Sequence, residues 1–423
     1  MAFSMPVKFL VLFAISLLHG VSIAQERNYP LNGDVHNRIE RIVANDSIRT
    51  FTSLRPLRMS VTPVSDVLKD TTIVYYDFQE VVFTEHLLRY RGKDFFFSID
   101  PLFNFEVGWD LSDKTLRNRF WNNTRGAILQ ADLGDKVAIA SWIYENQGFY
   151  MDYLDNYIRD HGELRQGQTP TYYFRIFGVV PGQGRAKEFR DFGHDFSSAG
   201  GYVSISPIES VNLQFGHFKQ FIGSGYRSML LSDMAFNYPQ LRVSWDILPN
   251  LRYQYTWAWM NELRRLSEFS TPEAQFLRKV GTMGALAWTP NPKWEVSLFE
   301  GTIWQTFSTE GPLKIDPWLY SPLMFTSLAI KGMDGQHNVW VGLNAQYRFS
   351  KKGRVYGQVM LDDITSGKWG AQLGAAYYDL IPGLVLQTEL NHASSNTFRS
   401  DVSIRSISHY NEPLAHPWGQ GFT

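Results

Sequence analysis

The apolar and polar positions of this chain fall into two regimes. From about Thr72 onward they alternate with a period of two. Leu241, Val243, Trp245 and Ile247 alternate with Arg242, Ser244 and Asp246. Leu251, Tyr253, Tyr255, Trp257 and Trp259 alternate with Arg252, Gln254, Thr256 and Ala258. Val339, Val341, Leu343, Ala345, Tyr347 and Phe349 alternate with Trp340, Gly342, Asn344, Gln346 and Arg348. Successive side chains of a strand point to opposite faces, so each run predicts a strand with one apolar face and one mostly polar, often small, face. The runs 240–248, 251–260, 339–349 and 369–379 are also long. Strands of soluble proteins average ~5–6 residues, whereas a tilted strand that crosses a membrane needs ~9–11. Residues 26 to about 70 behave differently. Val35, Ile39, Ile42 and Val43 share a face at helical spacing, and Pro56 and Pro63 interrupt any regular element after them. This predicts a short helix within an irregular periplasmic or plugging segment.

The connections carry the topology. Pro, Gly and Asn turn chemistry marks short links at 206–210, 248–250, 289–292, 350–353 and 381–383. Between them lie longer, irregular links near 218–240, 260–281, 301–338 and 362–368. Short and long alternate, as periplasmic turns and extracellular loops do in bacterial outer-membrane barrels. A soluble sandwich has no reason to keep that parity. In the first half, strands are expected at 83–90, 95–107, 126–132 and 136–144, with turns at 91–93 and 133–135. The run 172–180 also reads as a strand, yet counting it as a spanning one puts the next short turn on the wrong side. It is therefore a hairpin within a loop, or one earlier strand is misassigned. A last strand-like run spans 402–409.

The expected fold is thus all-β: an antiparallel transmembrane β-barrel of 14–18 strands over residues 72–423. A periplasmic or plug segment over 25–71 precedes it. Residues 1–24 read as a signal peptide: Lys8, the apolar run from Phe9 to Leu18, then small residues at Ser22 and Ala24 before cleavage. No later stretch is long and apolar enough to span as a helix, so an integral chain must cross with strands. The end, Trp418 to Thr423, lacks the terminal aromatic strand usual in such barrels, which predicts further strands beyond it. Net charge is −1 and charged residues make up 19%, which argues against nucleic acid as a partner. The absence of cysteine excludes disulfides, a thiolate metal site and a lipoprotein anchor. Aromatics reach 15%. Interface girdles explain such an excess, with Trp288, Trp294, Tyr347 and Phe349 expected on the periplasmic side and Trp257 and Trp259 on the outer side. Stacking on sugar rings explains it too.

Candidate chemistry gathers in the link from Gly216 to Pro239. Arg227 and Asp233 are expected to pair there. In one reading Arg227 meets carboxylates of a glycan while Tyr226 and Tyr238 stack on its rings. In the other, Arg227, Asp233 and Asn237 hold the loop folded into the lumen. A basic run holding Arg185 and Lys187 offers attraction for an acidic glycan, or simply a solvated loop face. Ser228, Ser232, His217 and Asp233 have no triad spacing, and His194 and His217 no metal-ligand pattern. No His-Glu-x-x-His motif, phosphate loop or nucleophile elbow occurs. No catalytic residue, metal or cofactor is expected.

The segment from Gly216 to Pro239, with Val180-Pro181-Gly182-Gln183-Gly184-Arg185 and Gly201-Tyr202-Val203-Ser204, resembles the capsule-assembly Wzi family of outer-membrane proteins. The likeness is to its Bacteroidetes branch, which includes gliding-motility RemB-like proteins. The resemblance implies a barrel of about 18 strands, a helical element near the periplasmic opening, and a role in holding surface polysaccharide to the outer membrane. The expected partners are that polysaccharide and outer-membrane lipid, the barrel being monomeric. A gliding or adhesion component, a barrel enzyme acting on lipid or glycan, and a passive porin are the alternatives.

Overall fold

The structure is a computed structural model that describes residues 26–62, 64, 86–110, 119–167, 172–265, 275–308, 311–332, 337–363, 367–400 and 403–415. The expected signal peptide, the start of the first expected strand and the chain end lie outside the described residues.

One antiparallel ladder organises the chain. Its first strands are β1 (Leu88–Arg91), β2 (Phe95–Trp109), β3 (Arg119–Leu133), β4 (Val137–Phe149) and β5 (Gly193–Ile208). Next come β6 (Val211–Phe218), β7 (Tyr238–Leu248), β8 (Leu251–Arg265), β9 (Phe276–Asn291) and β10 (Trp294–Gln305). The last are β11 (His337–Ser350), β12 (Gly353–Asp363), β13 (Lys368–Tyr378) and β14 (Val385–Ala393). Each strand pairs with its sequence neighbour, which gives fourteen ladder strands among the described residues, within the expected range. Among the described residues no ladder joins β1 to β14. Short turns alternate with long links from β1 to β12, but the last two links, 364–367 and 379–384, are both short, so the long link expected near 362–368 is not long. The run 172–180 breaks no parity, because β4 pairs directly with β5 and everything between is one long loop. Within that loop Tyr172–Ile176 pairs with Glu163–Gly167 as a hairpin.

The faces are inside out relative to a soluble protein. On β7, Leu241, Val243, Trp245 and Ile247 face outward while Arg242 and Ser244 are buried. On β11, Asn344, Gln346 and Arg348 are buried while Leu343 and Phe349 are exposed. Phe103 and Leu390 are exposed by 67% and 74%. Burying polar groups and exposing apolar ones is unfavourable in water and favourable where lipid covers the outside. The inner face is not uniformly polar. Met260, Met283, Phe299, Ile303 and Trp340 form an apolar patch inside, and this patch is covered from within.

The N-terminal segment supplies part of that filling. Helix α1 (Gly33–Asp46) starts at the Asn32 cap, whose side chain accepts from Asp34 N. It buries Ile39 and Val43, with Val35 and Ile42 packed alongside. The segment touches the inner face of strands far apart in the ladder. Arg27 pairs with Asp132 of β3 at 3.2 Å, and Asn28 N donates to the Tyr202 hydroxyl of β5 at 2.8 Å. Thr52 N and Ser53 N donate to Glu295 of β10 at 3.1 and 2.9 Å. Arg348 of β11 reaches Glu40 at 3.1 Å. One short segment reaches all of these only if the sheet curls around it. Arg41 approaches Asp379 and Arg49 the Pro290 carbonyl, which places the segment at the short-turn end.

Among the described residues the strand expected at 402–409 does not form. Residues 403–405 form a 3₁₀ turn, and Ser408–His409 pairs only with Glu412–Pro413. Ile407, Leu414 and Ala415 are buried in the luminal apolar cluster, so this apolar run fills the lumen instead of crossing the bilayer.

Candidate functional site

The loop from Lys219 to Asn237 turns into the lumen. Phe221–Ile222 pairs with Leu54–Arg55 of the N-terminal segment, so plug and loop are joined by backbone. Met229, Leu230 and Leu231 are fully buried against the apolar patch, and the Trp340 indole donates to the Leu230 carbonyl at 2.9 Å. Ser224 N donates to Asn344 Oδ1 at 3.0 Å, and Asn344 Nδ2 donates to Ser224 Oγ at 3.0 Å. Arg55 lies 3.6 Å from the Phe221 ring centroid and donates to the Gly223 and Gly225 carbonyls. Its burial lowers its pKa to about 10. Gly223 has φ +146°, a backbone angle that favours glycine, and it lies close against the Gln358 side chain.

This filling leaves a cleft along the long-loop ends of β2, β3 and β4. The cleft encloses about 600 Å³. The register sets Asn104 opposite Thr124, Glu106 opposite Asn122, and Thr124 opposite Asn146, all on the inner face. They form a polar ladder. Asn146 Nδ2 donates to Asn122 Oδ1 at 2.5 Å and to Thr124 Oγ1 at 2.7 Å, and Asn104 Nδ2 donates to Glu106 Oε1 at 3.0 Å. Tyr150 and Tyr153 stand at the rim, Tyr153 on helix α2 (Asp152–Asp160). Burial, then Glu106, raises the Tyr150 pKa, which keeps the phenol neutral. Arg227 faces this wall from the loop. A second cavity of about 460 Å³ shares Tyr144 and Gln183 with the first. It is lined by Trp142, Lys219, Asp233 and Asn237 among others. Lys219 donates to the Gly182 and Asp233 carbonyls at 2.5 and 3.0 Å. Burial lowers its pKa against the pull of Asp233 and Glu412.

The structure separates the sequence-derived candidates. Tyr226 is exposed, with the Arg227 guanidinium 4.7 Å from its ring centroid. Tyr226 N and Arg227 N both donate to Glu389 of β14, and the Arg227 carbonyl accepts from Gln372. The expected Arg227–Asp233 pair does not form among the described residues: Arg227 faces the first cavity and Asp233 the second, although both border a smaller one of about 140 Å³. Asn237 is buried and donates to the Ala199 carbonyl at 3.2 Å. Tyr238 is buried in the apolar cluster and cannot stack on a ligand from solution. Arg185 is not free to attract a glycan. It joins Arg165 and Arg265 around the fully buried Glu163 carboxylate, at 2.9, 3.1 and 2.8 Å. Lys187 is exposed on the loop. No hydrogen bond links His217 to Ser228, Ser232 or Asp233 among the described residues, and Ser228 Oγ donates to the Ile222 carbonyl at 2.5 Å. His194 is buried and bonded to Asp155 at 2.6 Å. Trp257, expected in the outer girdle, instead donates its indole N–H to the Tyr320 carbonyl under a covering loop.

Sequence reasoning missed Asn104, Glu106, Asn122, Thr124 and Asn146. Their signal was present as amides, a hydroxyl and a carboxyl on the polar face near the long-loop ends of successive strands. Only the register shows that they meet.

No family model matches the chain, and no curated protein matches it. Several solved structures are similar to it. Wzi of Escherichia coli, described as an outer-membrane, carbohydrate-binding β-barrel involved in group 1 capsule assembly, is 12% identical over 92% of this chain and 78% of its own, with a TM-score of 0.48. A mutant porin of Rh. blastica is 12% identical over 70% of this chain and 85% of its own, with a TM-score of 0.27. OccAB2 of Acinetobacter baumannii is 10% identical over 70% and 80%, with a TM-score of 0.28. At such values no residue role or ligand carries across. The inverted faces, the antiparallel ladder curled around its own plug and the alternating link lengths decide the matter. The chain is an outer-membrane β-barrel. In bacterial barrels the short turns face the periplasm and the long links the cell exterior.

Proposed function

We propose that this barrel binds a surface polysaccharide in the cleft and thereby holds it to the outer membrane. The observation that carries the reading is the ladder Asn104–Glu106–Asn122–Thr124–Asn146 facing Arg227, with tyrosines at the rim. Sugars present hydroxyls that both donate and accept, together with apolar ring faces. Amides, hydroxyls and one carboxylate answer the first, and Tyr150 and Tyr153 the second. Exposed Tyr226 extends the stacking surface. The resemblance of 216–239 to the capsule-assembly Wzi family points the same way.

The test is a titration of purified barrel in detergent with polysaccharide from the surface of the source cells. Asn122→Ala combined with Asn146→Ala removes two ladder amides, each worth about 0.5–1.5 kcal/mol, so affinity is expected to fall at least about fivefold. Cells carrying this variant are expected to shed polysaccharide into the medium. Unchanged affinity and retention would refute the cleft as the binding site. A gliding or adhesion role through the outer loops calls on no cleft residue, so it would survive this variant.

A further inference from the structure

The link between β10 and β11 does not turn into the lumen as residues 219–237 do. Its described part, residues 311–332, lies on the outward face of β8, β9 and β10. The register puts Tyr255, Gly284 and Glu300 side by side on that face, with Trp257, Thr282 and Thr302 one row above. Lower on the same wall the outward positions Trp288, Leu298 and Leu343 are apolar and exposed. Here Tyr255, Thr282 and Thr302 are buried, and Glu300 keeps only 5% of its surface. Glu300 is six residues along β10 from Trp294, which places it roughly 15 Å up a tilted strand, near the middle of the ~25 Å apolar band. A carboxyl facing lipid at that depth is costly unless something covers and bonds it.

The covering segment does both. Glu300 Oε2 accepts from Phe325 N. The Tyr253 hydroxyl donates to the Pro322 carbonyl and accepts from Met324 N. The Trp257 indole donates to the Tyr320 carbonyl at 3.1 Å. Three outward polar side chains of the wall are thus spent on the backbone of one irregular segment. A Cβ at Gly284 would lie 2.5 Å from Met324 Cγ, so the wall is notched to receive it. The segment also bonds itself: Trp318 N donates to Asp316 Oδ1, Leu323 N to Ser321 Oγ, and Thr326 Oγ1 to the Leu323 carbonyl. A loop in water needs none of this, whereas irregular backbone survives at membrane depth only when protein groups satisfy it. Its far face carries Trp318, Leu323, Phe325 and Ile330, all exposed and apolar. That face continues into Trp288, Leu298 and Leu343 lower on the same wall, which are also exposed.

We infer that residues 313–331 form a strap lying in the outer leaflet, clamped to the barrel wall through Tyr253, Trp257 and Glu300, with its far face against lipid acyl chains. The chain has no cysteine, so single-cysteine variants report cleanly. Leu323→Cys and Ile330→Cys are labelled with bimane and reconstituted as full chain into phosphatidylcholine vesicles bearing acyl-chain nitroxides. Leu343→Cys serves as lipid-facing reference and Lys187→Cys as loop reference, and heat-modifiable gel migration confirms folding of each. The strap positions are expected to be quenched within about twofold of Leu343→Cys and several-fold more than Lys187→Cys. Quenching no stronger than Lys187→Cys, with access to aqueous iodide, would return the segment to water and overturn the inference. Shielding from both quenchers would mean that protein, such as a second copy, covers the face, and would overturn it equally. Should one strap variant fail to fold, the other carries the test.

Discussion

Glu40 shows what a single residue does in this barrel. It belongs to the polar face of α1 and ends fully buried. Its carboxylate accepts from Gln346 at 3.0 Å and from Arg348 at 3.1 Å, with Arg354 at 3.9 Å. Arg354 in turn donates to the Ser224 carbonyl at 2.7 Å, so one network ties plug, wall and in-folded loop together. Burial works to raise the Glu40 pKa, and the two guanidiniums overcome it and hold the carboxyl well below its usual range. Removing one partner of such a pair leaves buried charge uncompensated, at a cost of about 3–5 kcal/mol. Glu40→Ala is therefore expected to lower the urea midpoint of the folded band clearly at pH 7. Because the folded pKa is depressed, the wild-type contribution holds above the unfolded value of about 4.3 and fades as pH falls below it. The gap between Glu40→Ala and wild type should narrow there, as measured by the same midpoint. Nothing local in the sequence marks Glu40 as a buried ion, since a carboxylate on the polar face of a helix reads as solvated.

The strands were legible as elements because period two is imposed by the backbone itself. β7, β8 and β11 follow the alternation of Leu241, Tyr253 and Val339 and their neighbours, and lipid on one side with a polar lumen on the other keeps it clean. The fate of the links was not legible. Residues 219–237 fold inward, 311–332 fold outward and 403–415 fold inward, and each is decided by contacts with strands more than twenty residues away. The cleft suffered the same limit, since Asn104, Asn122 and Asn146 become neighbours only through pairing. At this scale the in-folded loop occupies part of the lumen. Replacing residues 224–236 by a short Gly-Ser linker is expected to raise single-channel conductance in planar bilayers several-fold over the intact protein. Unchanged conductance would assign the block to the N-terminal segment and the 403–415 stretch alone.

At the scale of the whole molecule, the chain solves two solvation problems at once. Its outer wall meets lipid with Phe103, Leu373 and Leu390, and its inner wall meets a plug, a loop and a polar cleft with Asn, Gln, Arg and Glu. The two faces of the strands thus meet opposite chemistries. The same sheet in water would expose a continuous apolar belt and aggregate. The most direct check is gel migration of the full-length protein extracted from outer-membrane fractions, with and without boiling. A lipid-coated barrel is expected to require detergent for extraction and to run ahead of its boiled form, because the unboiled ladder stays compact in the gel. Identical migration before and after boiling, with the protein recovered soluble and without detergent from the periplasm, would contradict the account.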